Sequence, residues 1–347
     1  MVTLKTIADE AGVSTVTVSN VIRKKYSKVS PEKVELINEI IKKYNYVPNA
    51  NARSLASKKS NIIGIIIPYV GDNDNFLSSP YNMEIFGVLE REIRKRGYFA
   101  MIRTVSTVAE ATPIMKSWNV DGAIILGANA SDVEFIKAEL SFPMVFVDSY
   151  SSCPHLNVGV DDENGGYLAT RFLINNGHRK IWFVGPEVDA AIDSVVQQRY
   201  KGYIRALEES NIEQEKRWMF AHSTNYECGI NVGKAIAFEK ERPTAVFATS
   251  DIVALGIIEG LRLSGLSVPD EISVMGFDNL PEGQYAYPKL TSISQNIPIK
   301  GHMVANALFE VIDSQTENAI DLSSFNRGEK IQVDLVERNS VKNIAIL

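Results

Sequence analysis

From Ile62 onward, short continuous apolar runs alternate with stretches in which apolar residues recur every three or four positions. The runs are Ile62 to Pro68, Phe99 to Arg103, Gly122 to Leu126, Met144 to Val147, Lys180 to Val184, Ala245 to Ala248 and Ile272 to Phe277. Runs of this length predict strands buried on both faces, and the amphipathic stretches between them, such as Asn82 to Arg96, Gly165 to Asn176 and Val253 to Leu263, predict covering helices. Strand and helix in alternation spell a doubly wound α/β architecture with parallel sheets. A break falls after Val160, where Asp161-Asp162-Glu163-Asn164-Gly165-Gly166 opens a helix and a second series begins. Two similar lobes are expected.

Before residue 60 the pattern is purely helical. Ile7, Ala8 and Ala11 recur at helical spacing, Gly12 supplies a tight turn, and Ser14 stands where a helix N-cap is needed. In the next helix, Val18, Val21 and Ile22 form one apolar stripe, which turns Thr15, Val16, Ser19, Asn20 and Arg23 outward. A small, hydrogen-bonding outer face of this kind fits a DNA major groove, with Asn20 and the Thr15 hydroxyl reading base edges and Val16 meeting a thymine methyl; the bland alternative is a solvated helix. Ser30 and Pro31 make a cap and first-turn pair for a third helix carrying Val34, Ile37, Ile41 and Tyr44.

Charge sharpens this division. Residues 1–59 hold 11 basic against 5 acidic residues, net +6, and the remainder 25 against 37, net −12. A basic helical head on an acidic body points to a polyanion as the head's partner. Lys5, Lys28, Lys33 and the Arg23 to Lys25 run suit phosphates, which position a protein without specifying sequence. The longest apolar run, Ile62 to Val70, is far below the roughly 18 residues of a membrane span. The N-terminus lacks signal-peptide order, so a cytoplasmic protein without a membrane partner is expected. Cys153 and Cys228 give neither a disulfide framework nor a metal site. His155, His178, His222 and His302 are scattered, and His178 reads as helix-end chemistry after Gly177. No dinucleotide or phosphate-binding glycine motif and no nucleophile elbow occurs, so neither catalysis nor a cofactor is expected.

The stretch Thr3 to Ile22, TLKTIADEAGVSTVTVSNVI, closely resembles the helix-turn-helix headpiece of LacI/GalR-family transcription regulators, and Tyr46 to Ala56, YVPNANARSLA, resembles that family's hinge. The resemblance implies base reading by Thr15, Val16 and Asn20, with Thr6, Ser14, Thr17, Ser19 and Arg23 also in the DNA-binding set. Many members carry Arg where Asn20 stands, so an adenine contact is more natural here than a guanine contact. In the hinge it implies DNA contact by Asn49, Ala52, Arg53, Leu55 and Ala56, with Leu55 wedged into the minor groove. The alternative for Leu55 is packing on the following domain. The hinge, about two turns long, is too short to hold a helix alone in water and should fold on DNA.

The body resembles the same family throughout, in NVDGAIILG from Asn119, DENGGYLAT from Asp162, NGHRKI from Asn176, RYKGYIRAL from Arg199, SDIVALG from Ser250, VMGFDN from Val274 and LVER from Leu335. The implied fold is the periplasmic-binding-protein-like type I architecture, crossed three times by the chain, with an effector in the cleft. The expected domains are 1–47 for the headpiece, 48–60 for the hinge, 61–160 plus 292–324 for the N-terminal lobe, and 161–291 plus 325–341 for the C-terminal lobe. The implied effector contacts are Arg199 and Asp278 first, then Asp148, Asp161 and Ser250, with Tyr81, Asn82 and Tyr226 from aromatic-rich positions. A guanidinium opposite a carboxylate satisfies both acceptors and donors of vicinal sugar hydroxyls. The loop from Tyr69 to Pro80 is longer than the family's, placing Phe76 to cap a ligand, and the segment from Thr104 to Asn119 is shorter, predicting a stunted or irregular helix.

The sequence thus predicts a repressor of carbohydrate-utilisation genes. It would act as a homodimer on palindromic double-stranded operator DNA under the control of a small-molecule effector, a sugar or sugar phosphate. Ser149 after Asp148, in place of a base-stacking aromatic, favours sugar over purine. The nine residues after Arg338 carry no leucine heptads, so a dimer is expected rather than a coiled-coil tetramer. Competing readings are a solute-binding protein of a sugar transport system, a nucleobase-sensing corepressor-type regulator, and a doubly wound enzyme.

Overall fold

A computed structural model describes residues 2–47, 59–68, 75–187, 193–214, 219–220, 224–314 and 329–345. The hinge residues Asn49, Ala52, Arg53, Leu55 and Ala56, and most of the long loop before Phe76, lie outside the described residues. The chain divides into two units, Met1–Ser60 and Asn61–Leu347.

The first unit contains α1 (Leu4–Glu10), α2 (Thr15–Ile22) and α3 (Pro31–Lys43). Thr3 and Thr6 form a reciprocal capping box on α1, and Ser14 Oγ accepts from Thr17 N at 3.1 Å to cap α2. Between them Gly12 takes φ +63°, a conformation that costs a glycine little. Ile7, Ala8, Val18, Val21, Ile37 and Ile40 close the core. Two details depart from expectation. Ser30 makes no side-chain cap bond, so Pro31 alone starts α3, and Ile40 rather than Val34 fills the deep position beside Ile37. Glu10 ties α1 to α3 by accepting from Lys43 Nζ at 2.7 Å and Tyr44 Oη at 2.5 Å.

The second unit holds two six-stranded sheets. The first has the order β11-β5-β4-β3-β1-β2, all parallel, from β1 (Ile62–Ile67), β2 (Phe99–Thr104), β3 (Gly122–Leu126), β4 (Met144–Val147), β5 (Asn157–Val160) and β11 (Glu329–Ile331). The second has the order β12-β10-β9-β8-β6-β7, from β6 (Ile181–Pro186), β7 (Met219–Phe220), β8 (Ala245–Ala248), β9 (Ser273–Asp278), β10 (Thr291–Ser294) and β12 (Asp334–Val336). Its only antiparallel pair among the described residues is β10 with β12. Helices α4 (Pro80–Lys95), α5 (Val108–Trp118), α6 (Ala130–Glu139) and α12 (Ile297–Ser314) belong to the first lobe. The second carries α7 (Asp162–Asn175), α8 (Val195–Glu209), α9 (Tyr226–Phe238), α10 (Asp251–Leu263) and α11 (Pro281–Tyr285).

The expected boundaries near 291 and 324 need correction. β10 lies in the second sheet, so the chain returns to the first lobe between Ser294 and Ile297; β11 lies in the first sheet, so the last crossing falls between Ile331 and Asp334. α5 has 11 residues, carries Pro113 inside it and ends at a left-handed Asn119 at φ +49°. His178 is structural, buried with Nε2 3.0 Å from the Lys342 carbonyl oxygen and Nδ1 3.1 Å from Thr244 Oγ1.

Close backbone contact between α7 and α8 sets the position of Arg199. A Cβ on Gly202 would stand 1.9 Å from the Glu163 carbonyl oxygen, and one on Gly166 would stand 2.0 Å from that of Arg199. Glycine at both positions lets the helices touch, which brings Arg199 to the first residue of α7.

Candidate effector cleft and nucleic-acid interface

In the first unit α2 exposes three of the five residues expected on its outer face. Val16 is 65% exposed and Thr15 and Arg23 are exposed, while Ser19 and Asn20 are half-buried. A β-branched apolar residue standing in solvent at the first turn of a capped helix serves no core of its own unit. Ser14 and Thr17, 2.9 Å apart through their hydroxyls, hold the cap, and Thr6 belongs to the α1 capping box. Those three therefore carry structural work besides any contact with DNA.

In the second unit a cleft of about 710 Å³ opens where strands of both sheets end, lined from the first lobe by Tyr81, Asn82 and Asp148 and from the second by Arg199, Ser250 and Asp278. Carboxyl ends of parallel strands are where α/β sheets place ligands. Asp148 follows β4 with φ +53°, and Asp278 ends β9 with φ +125°. L-residues other than Gly rarely take such backbones, and they cluster at functional sites.

Two buried networks shape the cleft. Lys300, wholly buried on α12, donates to both oxygens of Asp148 at 2.8 Å, to Gln295 Oε1 at 2.6 Å and to Tyr81 Oη at 3.1 Å. Tyr81 Oη in turn donates to Asp148 Oδ2 at 2.8 Å, and Gln295 Nε2 donates to Asp278, joining the lobes. In the second network Arg199 Nε donates to Asp162 Oδ1 at 2.8 Å and Nη1 to the Thr249 carbonyl at 2.5 Å, with the guanidinium 3.6 Å from the Phe277 ring centroid. Tyr150 of the first lobe donates to Asp162 Oδ2 at 2.5 Å. Ser250 Oγ is buried at the start of α10 and makes no hydrogen bond.

Burial dominates the acidities. It pushes the Asp278 carboxyl up to about 6, against the opposing pull of Arg199 and Gln295. It raises Asp162 despite the Arg199 guanidinium, and holds the Tyr81 phenol well above its usual range with help from Asp148, so Tyr81 remains a donor.

Three expected contacts lie elsewhere. Asp161 caps α7, accepting from Asn164 N at 3.2 Å, and sits 3.7 Å from Lys330; its neighbour Asp162 is the one that meets Arg199. Tyr226 opens α9 at 42% exposure, with Glu259 and Arg262 of α10 close enough to affect its acidity, and does not line the cleft. Phe76 packs on the core of the body, its carbonyl taking Asn82 Nδ2 at 3.2 Å, so it caps nothing. Sequence reasoning missed Asp162, Tyr150, Gln295 and Lys300. Lys300 was readable as a lysine in phase with Ile297, Val304, Leu308 and Val311 on the apolar stripe of α12. Among the described residues, no group of His, Cys, Asp and Glu is arranged to hold a metal ion, and no helix is long and apolar enough to cross a membrane.

Comparison with known proteins matches both parts. Residues 3–49 match the bacterial regulatory proteins, lacI family, and residues 170–340 the periplasmic binding protein-like domain. The HTH-type transcriptional repressor PurR of Mannheimia succiniciproducens is 32% identical over 355 residues, covering 99% of this chain and 100% of its own. The ribose operon repressor of Haemophilus influenzae is 31% identical over 325 residues, covering 92% and 94%. The lac repressor dimer bound to operator and the anti-inducer ONPF has the same fold, with a TM-score of 0.84 at 25% identity over 98% of this chain and 99% of that one. A transcriptional regulator CelR–cellobiose complex matches with a TM-score of 0.69 at 25% identity, covering 98% and 100%. With a capped α2 presenting Val16, a two-lobed body around a polar cleft, and relatives aligned from end to end, the chain belongs to the lacI family of bacterial regulatory proteins and is a DNA-binding transcriptional regulator.

Proposed function

We propose that the protein is a cytoplasmic repressor, without enzymatic activity, that binds a palindromic operator as a homodimer and has its affinity set by a sugar held between the lobes. The observation that carries the effector site is the set of Asp148, Arg199, Asp278 and the unpartnered Ser250 hydroxyl around one cleft. Carboxylates accept, the guanidinium donates and the serine does either, which suits vicinal hydroxyls. The cellobiose held by CelR and the ribose operon served by a relative support a carbohydrate ligand. A transport solute-binding role is not favoured, since the relatives that match end to end, head included, are repressors. Thr15, Val16 and Asn20 are the proposed base readers, and Leu55 of the hinge the proposed minor-groove wedge.

Operator binding followed by fluorescence anisotropy, with and without a sugar that stabilises the protein, tests the scheme. Arg199→Ala should erase the effect of the sugar on operator affinity while binding without sugar persists. An unaltered sugar response in that variant would remove Arg199 and the cleft from the mechanism.

A further inference from the structure

The charges around the cleft are already committed to one another. Arg199, which lines the cleft, and Lys300, wholly buried behind it, each have a carboxylate partner: Lys300 lies 2.8 Å from both oxygens of the half-buried Asp148, and Arg199 lies 2.8 Å from the buried Asp162. A third carboxylate, Asp278, accepts from the Gln295 amide and from the Asp251 backbone N–H and has no directly bonded cation among the described residues, although the Arg199 charge acts on it. At the rim Asp193 holds Lys201 at 3.1 Å. Among the described residues, Arg199 is the only Lys or Arg that lines the cleft.

Helix N-termini attract anions, and several open here, but they are already served. Ser79 caps α4 and Ser194 caps α8, while α6, α7 and α10 carry Asp132, Asp162 and Asp251 in their first turns. A phosphate dianion would therefore enter beside the Asp148, Asp193 and Asp278 carboxylates with no uncommitted cation among the described lining residues, and a buried charge without a partner is strongly unfavourable. Hydroxyl groups meet no such barrier, because each both donates and accepts. Burial already pushes Asp162 and Asp278 up, so the cleft resists the negative charge it has.

Resting on the cleft as the effector site, we infer that the effector is an uncharged polyhydroxy molecule, an unphosphorylated sugar, and that Lys300 is a built-in counterion for Asp148 that leaves the cleft closed to phosphate esters. Lys300 acts here as a positioning and specificity-determining residue: it cancels Asp148, fixes Tyr81 and Gln295, and through Gln295 orients Asp278.

Thermal shift and titration calorimetry on the full chain test this with matched pairs: glucose and glucose 6-phosphate, fructose and fructose 6-phosphate, ribose and ribose 5-phosphate, with inorganic phosphate as the bare anion. In the wild-type protein neither phosphate nor any ester should give a saturable response, and any member that binds should be the unphosphorylated one of its pair. Asp148→Asn leaves Lys300 with surplus charge, so inorganic phosphate should bind this variant at least about tenfold tighter than wild type. If that variant fails to fold, Asp278→Asn, which removes a cleft carboxylate with no directly bonded cation, should shift phosphate binding in the same direction. An ester that binds tighter than its parent sugar, phosphate binding unchanged in the variant that folds, or a purine base that binds while every sugar is silent would each overturn the inference. An ester that binds through Arg199 and moves operator affinity would overturn only the exclusion of anions. A sugar that binds without moving operator affinity would instead overturn the effector reading beneath it.

Discussion

Asp278 combines three unusual properties: a backbone at φ +125°, near-complete burial and a carboxyl pushed up to about 6. Strained backbones cost on the order of 1–3 kcal/mol and persist only where surrounding structure enforces them. An acid whose pKa is raised on folding binds extra protons in the folded state between its ordinary value and the raised one. Its contribution to stability therefore declines as pH rises from about 4 to about 6 and stays unfavourable above that. Asp278→Asn, which keeps the side-chain shape, should raise the unfolding free energy read from urea denaturation at pH 7.5 by up to about 3 kcal/mol, with the gain shrinking as pH falls through 6. A gain that does not vary with pH would mean that the ionised carboxylate is not the unfavourable element. Ligand affinity should move the opposite way, weakening in the wild type below pH 6 as the acceptor is protonated. At this scale a family motif pointed to Arg199 and Asp278, and both line the cleft. The sequence was read poorly where a partner in space defines the role. Asp161 and Asp162 are adjacent carboxylates, and only the tilt of α7 decides that the first caps a helix while the second meets Arg199.

Elements divide in the same way. β1, β3, β4 and β8 were legible to within a residue because continuous apolar runs make strands under almost any packing. β10, Thr291 to Ser294, was invisible because its own pattern is polar. Its Thr291 N–H and Ser292 hydroxyl are satisfied by Ser340 at 2.8 Å and Asp251 at 2.6 Å, residues distant in sequence, which is what permits burial. The α7–α8 contact is the element on which the cleft most depends, and its signal was the glycine in the RYKGYIRAL stretch. Gly202→Ala puts a methyl against the Glu163 carbonyl and must part the helices, costing about 1–3 kcal/mol. Because Arg199 lies one turn earlier on α8 and Asp162 at the start of α7, separation also lengthens their 2.8 Å bond. Chemical denaturation should show the lost stability, and calorimetry on the folded fraction a weakened sugar affinity. Lost stability with unchanged affinity would show that the helix contact supports the fold without setting the site.

For the whole molecule, three chain crossings join lobes that share the Tyr150–Asp162 and Lys300–Gln295–Asp278 links, so closing the cleft on a ligand and shifting one lobe against the other are one event. Ligand binding that favours one lobe arrangement shifts the population towards it. If the hinge carries that shift to DNA, the coupling is a free energy shared by the two sites and must be reciprocal. The factor by which a sugar changes the operator dissociation constant should equal the factor by which operator DNA changes the sugar dissociation constant, within about 5- to 150-fold in either direction. Leu55→Ala separates the parts: operator binding weakens, sugar affinity of the DNA-free protein stays at its wild-type value, and both coupling factors shrink together. Unequal factors in the wild type would point to sugar binding at a second site or to a change of assembly state. Equal factors that survive Leu55→Ala unchanged would take the leucine, though not the cleft, out of the path between ligand and operator.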